Sequence, residues 1–283
     1  MEDIVDYAPR VTAAEIDVAE GGEERESERG RKRRRNEKVD TAEMAALGLL
    51  VPNIELATGC SPAHLPGGPP SALAQVLTQR LLTLLHASQI LGMEGLRIWH
   101  RPPPSGDPGP QEEGVDTATP VVKAFWTLHI SLVFISLDAG ALDTAWLALV
   151  AALRDTKLPR AWYDADAERI LCSPDPAEGY ALVVRRDVPV ALTFGVFEYE
   201  ERDDIGGLGG GGRGNRKVVL SDPDAFEEAL CAESLTVVVG EGGRVVRFEK
   251  GGGGAVGVGD VRGCVELAGK RREECLQILG GVE

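Results

Sequence analysis

Between Val122 and Leu137 the apolar side chains fall on every second residue. Val122, Ala124, Trp126, Leu128, Ile130, Leu132 and Phe134 share one side of an extended chain, and Lys123, Thr127, His129 and Ser131 take the other. A period of two is what a strand with one buried face requires. His129 lies on the polar side, where a surface or partner-facing histidine is expected rather than a catalytic one. Asp138-Ala139-Gly140 then reads as a turn, and Leu142 to Leu153 is almost wholly apolar. That run predicts a helix buried on most sides. A half-buried strand feeding such a helix commits the chain to a layered core.

The flanking elements agree. Leu49 to Leu56 reads as an extended segment. Ser71 stands where its hydroxyl can take an orphan backbone N–H. Behind it Leu73, Val76, Leu77, Leu81, Leu84, Leu85 and Leu91 recur at three- and four-residue steps, predicting a helix over 71–91. Leu96 to Trp99, Tyr180 to Val184 and Val190 to Phe197 read as strands, and Leu235–Val239 with Arg244–Phe248 as a hairpin about a glycine-rich turn. Asp260 to Leu279 reads as a closing helix, with Asp at its start, Lys270-Arg271-Arg272 in its second half and Gly280-Gly281 as its stop. Strands in adjacent runs favour an α+β fold, a mixed sheet packed with helices, over a doubly wound parallel sheet.

Three stretches stand outside that core. Residues 1–46 are expected to be a disordered charged tail, with an acidic stretch running into Arg29–Arg35. That basic cluster suits either a nuclear localisation signal or a phosphate-grasping patch. A low-complexity insertion is expected near 102–120, and a flexible glycine linker near 203–216 between Val196 and Val219, where strand register is not held. The domain proper is therefore expected over 47–283.

The 283 residues carry a net charge of −15. A chain of that sign does not bind nucleic acid through its global charge. No apolar run reaches the roughly 20 residues of a bilayer-spanning helix, so no membrane partner is expected. The five cysteines (Cys60, Cys172, Cys231, Cys264, Cys275) contain no C-x-x-C pair and read as reduced thiols. His64, His86, His100 and His129 form no zinc-binding spacing.

Candidate chemistry is sparse. Gly207–Gly212 satisfies G-x-G-x-x-G, but in so glycine-rich a tract, with no helix after it, the match is rejected. Gly251–Gly254 precedes a helix whose N-terminus suits phosphate, yet Asp260 competes for those donors, and a turn and cap is the favoured reading. Asp222, Asp224, Glu227, Glu228 and Glu233 make an acidic cluster that suits a magnesium ion or an acid/base pair, or simply a helix start.

Three segments in order resemble one family: Val51-Pro52-Asn53-Ile54-Glu55-Leu56 through Cys60-Ser61-Pro62; Ser136 to Ala145 through Ala151 to Pro159; and Asp222-Pro223 through Ser234-Leu235-Thr236-Val237. They are similar to the ribonuclease PH-like ring subunits of the RNA exosome. The resemblance implies an α+β ribonuclease PH-like fold, six such subunits around an RNA channel, and cap subunits above it. It also implies a segment where phosphorolytic members bind phosphate through an arginine. Here that segment reads Gly140-Ala141-Leu142-Asp143, and the downstream aspartate region has Glu233. Leucine cannot hold phosphate and an adjacent carboxylate repels it.

The expectation is therefore a non-catalytic structural subunit with no catalytic, cofactor-binding or metal-ligating residues. It would serve 3′-to-5′ RNA processing in the nucleus, nucleolus and cytoplasm, with the other ring and cap subunits and channel RNA as partners. Arg97, Arg101, Arg154 and Lys157 are the cations considered for RNA contact. The alternatives are an active phosphorolytic exoribonuclease using Asp143 and Glu233, or an unrelated interaction scaffold. Nothing in 1–46 resembles the family's opening strand pair, so a truncated chain with an open sheet edge and poor solubility is expected.

Overall fold

The computed structural model describes residues 39–61, 64, 69–102, 119–185, 187–200 and 215–280. The expectations for residues 1–38, for most of the 102–120 insertion and for the glycine run up to 214 lie outside these residues.

The long alternating run is two strands. β1 (Leu50–Leu56), β2 (Arg97–His100), β3 (Val121–Phe125) and β4 (Leu128–Phe134) form two separate pairs, β1 with β4 in parallel and β2 with β3 antiparallel. The break falls at Trp126–Thr127 because the backbone changes partner there. Trp126 donates its N–H to Leu96 at 2.8 Å, and Leu128 donates to Leu49 at 2.8 Å. Alternation continues through the break, so the inward face is the one the pattern predicts, and His129 is exposed.

Helix α1 (Ala72–Ser88) starts where the cap is expected: Ala74 donates its N–H to Ser71 Oγ at 3.2 Å. It ends three residues earlier than the periodicity implies, because Gln89 turns left-handed at φ 54°. Leu77, Leu81, Leu84 and Leu85 are buried. They pack in one cluster with Leu142, Trp146, Leu149, Val150 and Leu153 of α2 (Ala141–Asp155). Each such leucine contributes about 1.5–3 kcal/mol through burial. Trp146 satisfies its indole N–H on Pro189 O at 2.7 Å, so its ring is buried without an orphaned donor. α2 buries one stripe rather than most of its surface, since Thr144, Ala148, Ala151 and Ala152 are exposed.

Residues 39–46 are helical and Met44 is buried in the same cluster, so the segment before Leu47 does contribute to the core. After α2 come β5 (Lys157–Leu158), β6 (Ala161–Asp164), β7 (Arg169–Cys172) and β8 (Tyr180–Ala181). The β6–β7 hairpin has no expectation behind it, and the strand expected over 180–184 is only two residues long.

The larger sheet is antiparallel, in the order β10-β9-β11-β12, with β9 (Val190–Glu200), β10 (Asn215–Ser221), β11 (Glu233–Val239) and β12 (Val245–Gly252). Register between β9 and β10 is unbroken, and Val196 sits opposite Val219. The expected loss of register is thus wrong: apolar pairing on β9 holds β10 in place whatever the length of the connection.

Both faces of β9 and β11 are covered, which accounts for their continuous apolar runs. Ala191 and Val238 belong to the cluster with α1 and α2, whereas Leu192, Phe194, Val196, Leu235, Val237 and Val239 pack with Cys264 and Ala268. These last two lie on α4 (Val258–Gly280); α3 (Ala225–Leu230) is a short helix before β11. All five cysteines are free thiols.

Candidate functional site

Gly140-Ala141-Leu142-Asp143 opens α2 beside a cavity of about 370 Å³, lined among others by Ser61, Arg80, Leu142, Thr193 and Glu228. Gly140 takes φ 56°, a left-handed turn that suits glycine, and no side chain caps the helix. Leu142 is buried in the core rather than turned toward solvent.

Asp143 is committed inside the fold. Its carboxylate accepts the Thr193 backbone N–H at 2.6 Å and the Thr193 hydroxyl at 3.0 Å. Thr193 and Thr236 are register partners on β9 and β11, with hydroxyls 3.1 Å apart. Arg80 of α1 donates to Thr236 Oγ1 at 3.0 Å and to Glu249 at 2.7 Å, and Arg247 also donates to Glu249. The result is a continuous polar seam from α2 across the sheet to β12. Burial pushes the Asp143 carboxyl up to about 6, against the lowering influence of the Thr193 bonds and the Arg80 charge. Burial also pushes Glu249 upward, but the bond from Arg247 and the charges of Arg80 and Arg247 outweigh it and hold the group below its ordinary value.

Arg80 is the one cation among the described residues lining this cavity, and it is engaged by Glu249 and Thr236. Sequence reasoning missed it. The available signal is its position: Arg80 follows Leu77 by three residues and Val76 by four, so a charge interrupts the apolar stripe of α1.

The sheet separates the two carboxylates of the phosphorolytic alternative. Thr236 and Val238 face α1 and α2, so by alternation Glu233 points with Leu235 and Val237 to the α4 side. Its side chain is fully buried, pairs with Lys250 at 2.8 Å and lies against Gly254, where an added Cβ would collide with the carboxylate. Asp143 and Glu233 therefore do not converge on one cavity face.

The remaining acidic cluster disperses. Asp224 caps α3 and forms a capping box with Glu227. Among the described residues no three carboxylates, histidines or cysteines come together as a metal-binding group. At Gly251–Gly254 the expected competition occurs nearby: Asp260 accepts the Gly257 N–H at 3.1 Å. Of the cations considered for RNA, Arg97 pairs with Glu43 at 3.4 Å, Arg154 is half-buried in the last turn of α2, and Lys157 is exposed on β5. Arg101 follows β2 at the edge of the described residues.

The α+β arrangement of helices against these sheets is that of the ribonuclease PH-like fold. Residues 24–159 match the 3′ exoribonuclease family, domain 1, and the chain belongs to this ribonuclease PH-like family. The match begins at residue 24, inside the segment where no resemblance was expected. The chain is 31% identical over 221 residues to exosome complex component rrp43 of Schizosaccharomyces pombe, covering 78% of this chain and 66% of that one. It is 25% identical to exosome complex component Rrp42 of Thermococcus gammatolerans, over 86% of this chain and 74% of that one. The archaeal structure described as the Archaeoglobus fulgidus exosome with RNA bound to the active site shares the fold. Its TM-score is 0.51 at 24% identity, over 80% of this chain and 70% of that one.

Proposed function

We propose that the chain is a non-catalytic ring subunit of the RNA exosome, supporting 3′-to-5′ RNA processing and decay, ribosomal RNA maturation included. The observation that carries the reading is at Leu142 and Asp143. Where the family resemblance places a phosphate-holding arginine stands a core leucine, and the carboxylate beside it is bonded to Thr193. Transfer of a phosphodiester to phosphate needs a cation on the anionic nucleophile. The cavity's Arg80 is already held by Glu249 and Thr236.

In this reading the partners are the other ribonuclease PH-like ring subunits, the cap subunits and RNA in the assembled channel, in the nucleus, nucleolus and cytoplasm. Affinity purification of the tagged chain from its own cells tests it. Near-stoichiometric recovery of ring and cap subunits is expected, and their absence overturns the assembly role. Phosphate-dependent release of nucleoside diphosphates from RNA by the purified chain would overturn the non-catalytic role.

A further inference from the structure

The cavity beside Gly140 is apolar for the most part. Leu73, Leu77, Leu137, Leu142, Ala225 and Ala229 are among its lining residues, and Leu73 at its lip is 41% exposed. A second cavity of about 290 Å³ adjoins it, lined among others by Gly195, Cys231, Ser234 and Gly251. Thr193 and Glu228 line both.

The two cavities share one face of the larger sheet. Thr193 turns toward α2, where its hydroxyl meets Asp143. Gly195 lies two residues along β9 and on the same side, about 7 Å away. Register sets Gly195, Ser234 and Gly251 side by side across β9, β11 and β12. Two glycines flanking a serine leave that floor nearly bare of side chains. Together the cavities make a groove one strand repeat long, walled by α3, whose Ala225, Glu228 and Ala229 fall on one helical face.

The groove is negatively charged. Arg80 is the one cation among the described residues lining either cavity, and Arg80 and Arg247 are matched by Asp143 and Glu249. Among the described residues none pairs with the Glu228 carboxylate. An added Cβ at Gly140 would stand 3.5 Å from Asp222 Oδ1. Asp138, Asp224 and Glu227, exposed about α3, add to the excess. Arg271, whose charge reaches Asp222, is bonded to Glu274 at 2.9 Å. Such a rim repels phosphates and attracts cations.

We infer that this groove binds an extended peptide segment of a protein partner, seating a leucine-sized apolar side chain between Leu73, Leu142 and Ala229 and holding an adjacent arginine or lysine with Glu228 and Asp222. Burial of the apolar side chain supplies the affinity, and the acidic rim selects the cation and rejects nucleic acid. The inference goes beyond the exosome reading and rests on the lining of the groove alone, so groove binding and ring assembly fail separately.

The test titrates the full chain against a fluorescein-labelled, end-blocked nonapeptide of serines and glycines with Leu-Arg at its centre, up to about 1 mM. Saturable binding is expected. A probe with serine for the leucine should bind about tenfold more weakly or worse, as should one with glutamate for the arginine. Ala229→Trp fills the first cavity and should cost a similar factor. Glu228→Lys should prefer the glutamate probe to the arginine probe, a reversal that loss of fold cannot produce.

Absence of saturable binding overturns the inference, as do equal affinities for the leucine and serine probes. So does a Glu228→Lys variant without the reversal, or an Ala229→Trp variant that melts and binds like the parent. An oligouridylate of about 20 nucleotides that competes with the peptide assigns the groove to RNA, and a dimer dissociated by Ala229→Trp assigns it to a second copy; either outcome overturns the inference. Ring subunits recovered from cells by a chain that binds no probe refute the groove alone. Probe binding without ring recovery refutes only the assembly role.

Discussion

Asp143 and Thr193, fifty positions apart in the chain, share two hydrogen bonds: the backbone N–H of Thr193 at 2.6 Å and its hydroxyl at 3.0 Å both meet one carboxylate. A side chain at the head of α2 is thereby fastened to a central strand of the larger sheet. The carboxylate that sequence chemistry offers as a catalytic candidate serves as a tie between layers.

That tie titrates. The folded carboxyl loses its proton near 6 against an ordinary value of 3.8, with burial the chief cause. Between those values the native state binds more proton than the unfolded state, so stability falls as pH rises, by about 3 kcal/mol at full effect. Above the folded value the loss is complete. Asp143→Asn removes this titration and should flatten the dependence of melting temperature on pH between about 4 and 6. An unaltered slope in the variant would count against the tie.

Restoring an arginine at the family's phosphate position should not restore chemistry. Leu142 is 4% exposed among apolar neighbours. Leu142→Arg forces a guanidinium into that cluster and should cost about 3–5 kcal/mol in denaturant unfolding, with no phosphorolysis gained. Phosphate-dependent nucleotide release by a folded variant would show that the arginine alone was missing.

Arg80 is expected to act through the two acceptors it holds. Arg80→Met should lower stability by about 1–2 kcal/mol near neutral pH, because Glu249 loses a charge partner and Thr236 a donor. The carboxyl of Glu249 lies below its ordinary value in the folded chain, so the stabilisation it supplies is present above about 4.5 and is lost on acidification. The gap between parent and variant should therefore narrow at acid pH. Urea titrations at two pH values measure it.

The glycine at the end of β12 is a packing requirement. Gly252 has φ 113°, and a Cβ there would come within 2.6 Å of the Ala232 carbonyl oxygen. Gly252→Ala should cost about 1–3 kcal/mol through backbone strain alone, before the clash is counted. Gly253→Ala, where an added Cβ meets nothing within 4 Å, is the matched control and should leave the melting temperature nearly unchanged.

Much of the local structure was legible. The Ser71 cap, the inward face of residues 122–134, the α2 segment and the β11–β12 hairpin all follow from spacing and cap chemistry, which depend on neighbours a few residues away. Periodicity also supplied the helix over 258–280 to within two residues at its start. It did not reveal that the alternating run serves two sheets, because alternation is the same on either side of Trp126 and only the hydrogen-bonding partner changes. The β6–β7 hairpin escaped notice because its strands are four residues each, too short to establish a period.

The site divides along the same line. Sequence by itself determined which residue types were present: a leucine beside an aspartate at the head of α2, and a glutamate at the start of β11. Tertiary structure alone decided that Asp143 is held by Thr193, that Arg80 is drawn in from another helix to Glu249, and that Glu233 lies across the sheet from them both. The reason is physical. Side-chain periodicity is set by the local backbone, whereas burial, charge pairing and the face a strand turns to each layer depend on chain segments brought together only when the core closes.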